Sequence, residues 1–219
     1  NYLKKQQQKK ATDTLYLEVL SEQLAQFAGA IIVKRLEFLA ELERYAKEIH
    51  GQITQDKEQL AFSYESSLKE SSQATENEIT EALKKGFANL QQKEIFQGTT
   101  LLGPHRDDVV FKINGQNVQV YGSQGQQRTT ALSVKLAEIE LMKNKTGEYP
   151  ILLLDDVLSE LDGNRQTHLL KTIQGRVQTF LTTPGLNDIT QQLIKEPKIF
   201  HIDDGQISEN SELAENHID

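Results

Sequence analysis

Tyr121-Gly-Ser-Gln-Gly-Gln-Gln-Arg-Thr129 and, after an intervening helical stretch, Ile151-Leu-Leu-Leu-Asp-Asp156 are the two segments on which the reading of this chain turns. The first is a turn that delivers Ser123 and Gly125 to the start of a helix running to about Lys145. Helix N-termini offer unpaired N–H groups and a partial positive charge, which suit a phosphate. Gly122 and Gly125 permit close backbone approach and positive φ. A plainer reading stands beside this one, because Ser123-x-x-Gln126 is also a capping box, which starts helices without any ligand. In the second segment Ile151–Leu154 is apolar without alternation, which predicts a central strand buried on both faces. It exits into two adjacent carboxylates, and ligands of open α/β sheets bind at the carboxyl ends of strands. Neighbouring strand side chains point to opposite faces, so Asp155 and Asp156 are expected to do different jobs. One suits Mg²⁺ as a hard oxygen ligand, and the other suits orienting an attacking water. A pair of loop-capping aspartates is the alternative. Together the two segments describe part of an ATPase site. No Gly-Lys dipeptide occurs in the 219 residues, so the Gly-rich loop with its Lys that cradles nucleotide phosphates is not among them.

Outward from this pair, strands and helices alternate. The pattern predicts a strand at Tyr149–Asp155, a helix at Gly163–Ile173, a strand at Val177–Thr182, a helix at Leu186–Ile194 and a strand at Ile199–Asp203. Such alternation implies an α/β layer with a largely parallel sheet. Upstream, Val110–Val120 reads as a β-hairpin with Asn114-Gly115 as a type I′ turn. Gln59–Ser66 alternates and reads as a strand. Thr12–His50 reads as one helix, with Leu17, Leu24, Ile31, Phe38 and Tyr45 at intervals of seven. Leu20 and Phe27 fall three after their partners, and Leu42 and Ile49 four after theirs. This is a coiled-coil-like stripe with a phase shift near Lys34. Its expected partner is an antiparallel helix over Glu76–Ile95, striped by Ile79, Leu83, Phe87 and Leu90. The expected domains are an arm over residues 1–97, an α/β part over 98–207 and a disordered acidic tail over 208–219.

Composition narrows the class. Hydrophobic content of 37% and charged content of 26% fit a soluble protein with long exposed helices. The absence of cysteine excludes disulfides and thiolate metal sites and favours a reducing compartment. No apolar run approaches the roughly 20 residues of a membrane span. The basic start, Asn1–Lys10, lacks the apolar core of a signal peptide and lacks Met, which suggests a mid-chain start. A net charge of −8 argues against indiscriminate nucleic-acid binding, although local patches of Lys and Arg still suit phosphates.

The motifs resemble the RecF family of ABC-type ATPases. Tyr121–Thr129 is similar to its signature motif, Ile151–Asp156 to its Walker B strand and Ser159-Glu-Leu-Asp162 to its D-loop. Leu102-Gly-Pro-His-Arg-Asp-Asp108 and Arg35-Leu-Glu-Phe-Leu39 also resemble the family. The resemblance runs from Asn1 to about Ile207. It implies an α/β fold: lobe II of a partial ABC-type head, with a mainly parallel sheet, and a helical coiled-coil-like arm. The arm is too short for an SMC-type head. The resemblance implies that Ser123, Gln124, Gly125, Gln126 and Gln127 contact ATP held by the opposite subunit. It implies Mg²⁺ at Asp155, the catalytic carboxylate at Asp156, and communication across the dimer through Ser159 and Asp162. Many ABC heads carry Glu where Asp156 stands, so slow hydrolysis is expected. Thr182-Thr183 stands where ABC transporters often have a switch histidine, and no such role is assigned.

The implied setting is an ATP-dependent homodimer on double-stranded or gapped DNA, with RecR and RecO as partners, helping to load recombinase in repair and the SOS response. The implied location is cytoplasmic and nucleoid-associated, with no membrane contact. Residues 1–219 alone are expected to be inactive as an ATPase. A non-enzymatic interaction module is the reading from another class. Arg106 and Asp107 read as structural or interlobe contacts rather than as a kinase-type loop, since Lys112 stands where Asn is required. His50, His168, His201 and His217 lack metal-ligand spacing and read as structural or exposed. The Lys4–Lys10 cluster reads as a solvated helix end, with DNA contact as the alternative.

Overall fold

The computed structural model describes residues 2–7, 14–68, 75–185, 194 and 197–210. The chain forms two compact units, Asn1–Gly147 and Glu148–Asp219. The expected boundary at residue 97 does not coincide with this division.

In the first unit, α1 (Tyr2–Gln7) precedes the long helix α2 (Thr14–Thr54), which packs against α3 (Glu76–Gln97). Thr75 and Glu78 close a capping box on α3, and Gly98 ends it in the left-handed conformation at φ 67°. Ala25, Ala28 and Ile32 of α2 meet Ile79, Leu83 and Phe87 of α3 in one buried cluster. Close approach is what selects this face: a Cβ on Gly29 would lie 2.3 Å from Thr80 Oγ1. The structure therefore corrects the expected stripe. Leu17, Leu42 and Ile49 are buried, but Leu24, Phe27, Ile31 and Phe38 are exposed. The buried face lies one residue on, about 100° round the helix, where small side chains let α3 come near.

Strand β1 (Leu60–Glu65) pairs antiparallel with β2 (Asp108–Ile113), tying together residues on either side of the expected boundary. β2 turns through Asn114 and Gly115, at φ 49° and 82°, into β3 (Gln116–Asn117). Both signs are those a type I′ turn needs. The hairpin is shorter than expected. Asn117 Oδ1 accepts from the N–H groups of Gln119 and Val120 and so caps a short helix, α4 (Val118–Tyr121), where a strand was predicted.

The Leu102–Asp108 segment is a structural clasp. Asp107 accepts from the Tyr64 hydroxyl at 2.5 Å and from Ser67 N at 2.6 Å. Arg106 donates to Thr99 and Thr100, and Arg35 donates to Pro104 O at 2.7 Å. Burial, and then the Asp107 contact, pushes the Tyr64 phenol up to about 12. α5 (Gln124–Thr146) completes the unit, lies against α2 and ends at Gly147, φ 81°.

In the second unit, β4 (Leu152–Asp155) and β5 (Thr179–Thr182) pair in parallel, with α6 (Gly163–Ile173) between them in sequence. The parallel pairing and α6 match expectation. The burial does not: Leu153 is 73% exposed and Phe180 54%. Only two strands pair in parallel among the described residues, so alternate side chains of β4 face outward. β6 (Ile199–Asp203) does not join that sheet. It pairs antiparallel with β7 (Gln206–Asn210) through Asp204 and Gly205, both at positive φ. Ser208–Asn210, expected in the tail, therefore belong to a strand. The helix expected at Leu186–Ile194 lies outside the described residues apart from its last position, as does the tail from residue 211 on. Among the described residues, no helix is long and apolar enough to cross a membrane.

Candidate functional site

The Ser123 turn is built by reciprocal capping. Ser123 Oγ accepts from Gln126 N at 3.2 Å, and Ser123 N donates to Gln126 Oε1 at 2.9 Å. Ser123 and Gln124 are exposed at the head of the 23-residue α5. The two glycines act otherwise than expected, since neither is at positive φ. Gly122, at φ −72°, is needed for proximity: a Cβ there would lie 2.4 Å from Val118 O. Gly125 is helical, and its carbonyl accepts from Thr129 Oγ1 at 2.8 Å. Gln127 turns its side-chain amide back to the carbonyls of Val118, Gln119 and Gly122 and binds α4 to α5. Gln126 reaches inward, its Nε2 donating to Glu58 Oε1 at 3.1 Å. Of the five predicted residues, Ser123, Gln124 and Gly125 thus present the turn, while the side chains of Gln126 and Gln127 brace it.

The second unit holds the carboxylates. Asp155 ends β4 opposite Thr182, the last residue of β5. Thr182 Oγ1 donates to Asp155 Oδ1 at 2.5 Å and accepts from Asp156 N at 3.0 Å. Asp156 is already off the strand, in the left-handed conformation at φ 50° and ψ 22°. Its divergence from Asp155 therefore comes from a turn and not from strand alternation. For a non-glycine residue this conformation costs about 1 kcal/mol, least for Asp and Asn. Both carboxylates are exposed. They fit Mg²⁺, which binds through one or two carboxylates and keeps several waters. Among the described residues no cluster of three or more metal-binding side chains exists.

Ser159 and Asp162 are engaged locally. Ser159 Oγ donates to Asp156 O at 2.9 Å within the 3₁₀ turn Val157–Glu160. Asp162 caps α6 by accepting from Arg165 N at 3.1 Å and pairs with the Arg165 side chain. Gln166 Nε2 donates to Leu158 O and Leu161 O and holds the turn from behind.

Over 213 residues the chain is 68% identical to the DNA replication and repair protein RecF of Ligilactobacillus salivarius, a match covering 97% of this chain and 56% of that protein. The chain belongs to the RecF family. RecF of Enterococcus faecalis is 53% identical over 215 residues, and RecF of Bacillus subtilis 50% over 207, each again covered to 56% of its length. The chain thus spans little more than half the length of these RecF relatives. No protein-family model matches it. Among solved structures, it resembles the recombination mediator protein RecF-ATP in the RecFOR pathway, at a TM-score of 0.82 and 36% identity over 95% of this chain and 54% of that one. The corresponding RecF-ATPrS structure gives a TM-score of 0.80 at 35% identity, with the same coverage.

Two groups escaped the reading of the sequence. Thr182 is the partner of both Asp155 and Asp156 N, and parallel register is the signal that pairs the two strand ends. Glu58 reaches Gln126 across 68 positions, and no linear pattern marks it.

Proposed function

We propose that the chain serves as the signature- and Walker-B-bearing part of a RecF-type recombination mediator, an ATP-dependent DNA-binding protein that pairs with a second copy of itself. The observation that carries this is the Ser123 turn: an exposed serine at the head of a long helix, capped and braced from behind. Such an array suits the terminal phosphate of a nucleotide held by another subunit. The solved RecF-ATP structure, to which 95% of the chain is similar, supports ATP as that nucleotide. In the whole protein Asp155 would hold Mg²⁺ and Asp156 would orient water toward an ATP bound by its own subunit. Mg²⁺ supplies charge neutralisation at the phosphates. Asp156, shorter than Glu, makes hydrolysis slow. Ser159 and Asp162 sense the partner through the turn they shape. Closure of two heads clamps double-stranded DNA near a gap, where RecO and RecR join.

The test is Ser123→Arg in the full-length protein. It should leave ATP binding intact and abolish ATP-dependent dimers in light scattering. Dimers at the normal nucleotide concentration would refute the proposal.

A further inference from the structure

We infer that Glu58, fixed by the buried ring of His50, is a positioning residue for the Ser123 turn, setting the side-chain orientation of Gln126 from which the turn is capped. The inference rests on the proposed role of Ser123.

The side-chain amide of Gln126 has two unlike ends, and both are used. Oε1 accepts from Ser123 N at 2.9 Å, and Nε2 donates to Glu58 Oε1 at 3.1 Å. A flipped amide would set its NH₂ against the Ser123 N–H and its oxygen against the carboxylate, two repulsive contacts in place of two bonds. Glu58 therefore selects the orientation that caps Ser123. Without an acceptor at residue 58, Gln126 is free to flip or leave, and Ser123 N loses its fixed partner.

Glu58 is itself held. His50, near the end of α2, is fully buried, while the Glu58 side chain is 23% exposed. Ser133 Oγ has one proton and donates it to Thr129 O at 2.7 Å. It also lies 3.1 Å from His50 Nδ1. His50 Nε2 lies 3.2 Å from Glu58 Oε2, within hydrogen-bond reach. One carboxylate oxygen is thus anchored by the ring and the other is aimed at Gln126. A continuous line of hydrogen bonds thus runs from the second turn of α5, through the end of α2 and the loop before β1, back to the first turn of α5. Its effect is to keep the turn in one shape before a phosphate arrives, which lowers the ordering cost of engagement.

The experiment uses the full-length protein and three variants. Glu58→Ala should raise the ATP concentration needed for half-maximal dimerisation about tenfold, the worth of one well-placed hydrogen bond to a charged group. Glu58→Gln should stay within about threefold of wild type, because its amide oxygen still accepts from Gln126 and its NH₂ can donate to His50. ATP affinity of the undimerised subunit should be unchanged in both. Ser123→Arg is the control. Glu58→Met, which keeps the stem and offers no acceptor of like strength, takes the place of Glu58→Ala if the latter does not fold. Wild-type dimerisation by Glu58→Ala, beside a dimer-dead Ser123→Arg, would overturn this inference alone. So would a Glu58→Gln variant as defective as Glu58→Ala. Normal dimers from Ser123→Arg would bring down the proposed function, and this inference with it.

Discussion

The Ser123 turn and the Asp155–Asp156 strand end stand in different degrees of completion. The turn is closed on itself by a capping box and backed by Gln127, Glu58 and a fully buried His50. In the same unit α2 and α3 share a sealed cluster in which Ile79 and Leu83 have no exposure at all. The strand end has its own hydrogen bonds through Thr182, but among the described residues its sheet has two parallel strands and leaves Leu153 and Phe180 in the open. Local hydrogen bonds are enough to shape a helix-capping turn. They are not enough to bury an apolar strand, which needs a neighbour on each face.

The contrast can be tested by substitution, beginning with the largest effect. Leu83→Ala should cost about 2–5 kcal/mol in urea unfolding of the first unit, as expected for a fully buried leucine. A loss below about 1 kcal/mol would mean that the α2–α3 cluster is not the core it is taken to be. Thr182→Val keeps the shape and removes both hydrogen bonds at the carboxylates. It should weaken the strand end by about 1 kcal/mol and speed amide hydrogen exchange at Asp156 while leaving Ser123 unaffected. Asp156→Gly should relieve the left-handed backbone and change stability by no more than about 1 kcal/mol, in the stabilising direction. A clear loss of stability would show that the Asp156 side chain holds the turn together and is not free for chemistry. Leu153→Ala should be the smallest, within about 0.5 kcal/mol, because the side chain is already in solvent.

Much of the fold is written locally. The starts of α6, α3 and α5 follow from Asp162, Thr75 and Ser123, each a capping residue ahead of a periodic run. The Asn114-Gly115 turn is equally plain. Most of what was misread depends on neighbours distant in sequence. Periodicity shows that α2 has an apolar stripe, but the face chosen by α3 is the one small enough to admit it, at Gly29 against Thr80. The early end of the hairpin is decided by Asn117, whose side chain offers the backbone an alternative to the ladder. At the site, Ser123 and Asp155 are visible as types at known offsets, whereas Thr182 and Glu58 are visible only through strand register and through a contact between distant segments.

The central claim is that Ser123 and Asp156 of one chain serve different nucleotides. Mixing full-length Ser123→Arg with full-length Asp156→Asn measures this directly. Neither variant should hydrolyse ATP alone. Their mixed dimer should, because one of its two sites joins an intact Asp156 from the first protein to an intact Ser123 from the second. If the mixture stays as inactive as its components while mixed dimers form, Ser123 and Asp156 act on the same nucleotide within one chain, and the account is wrong.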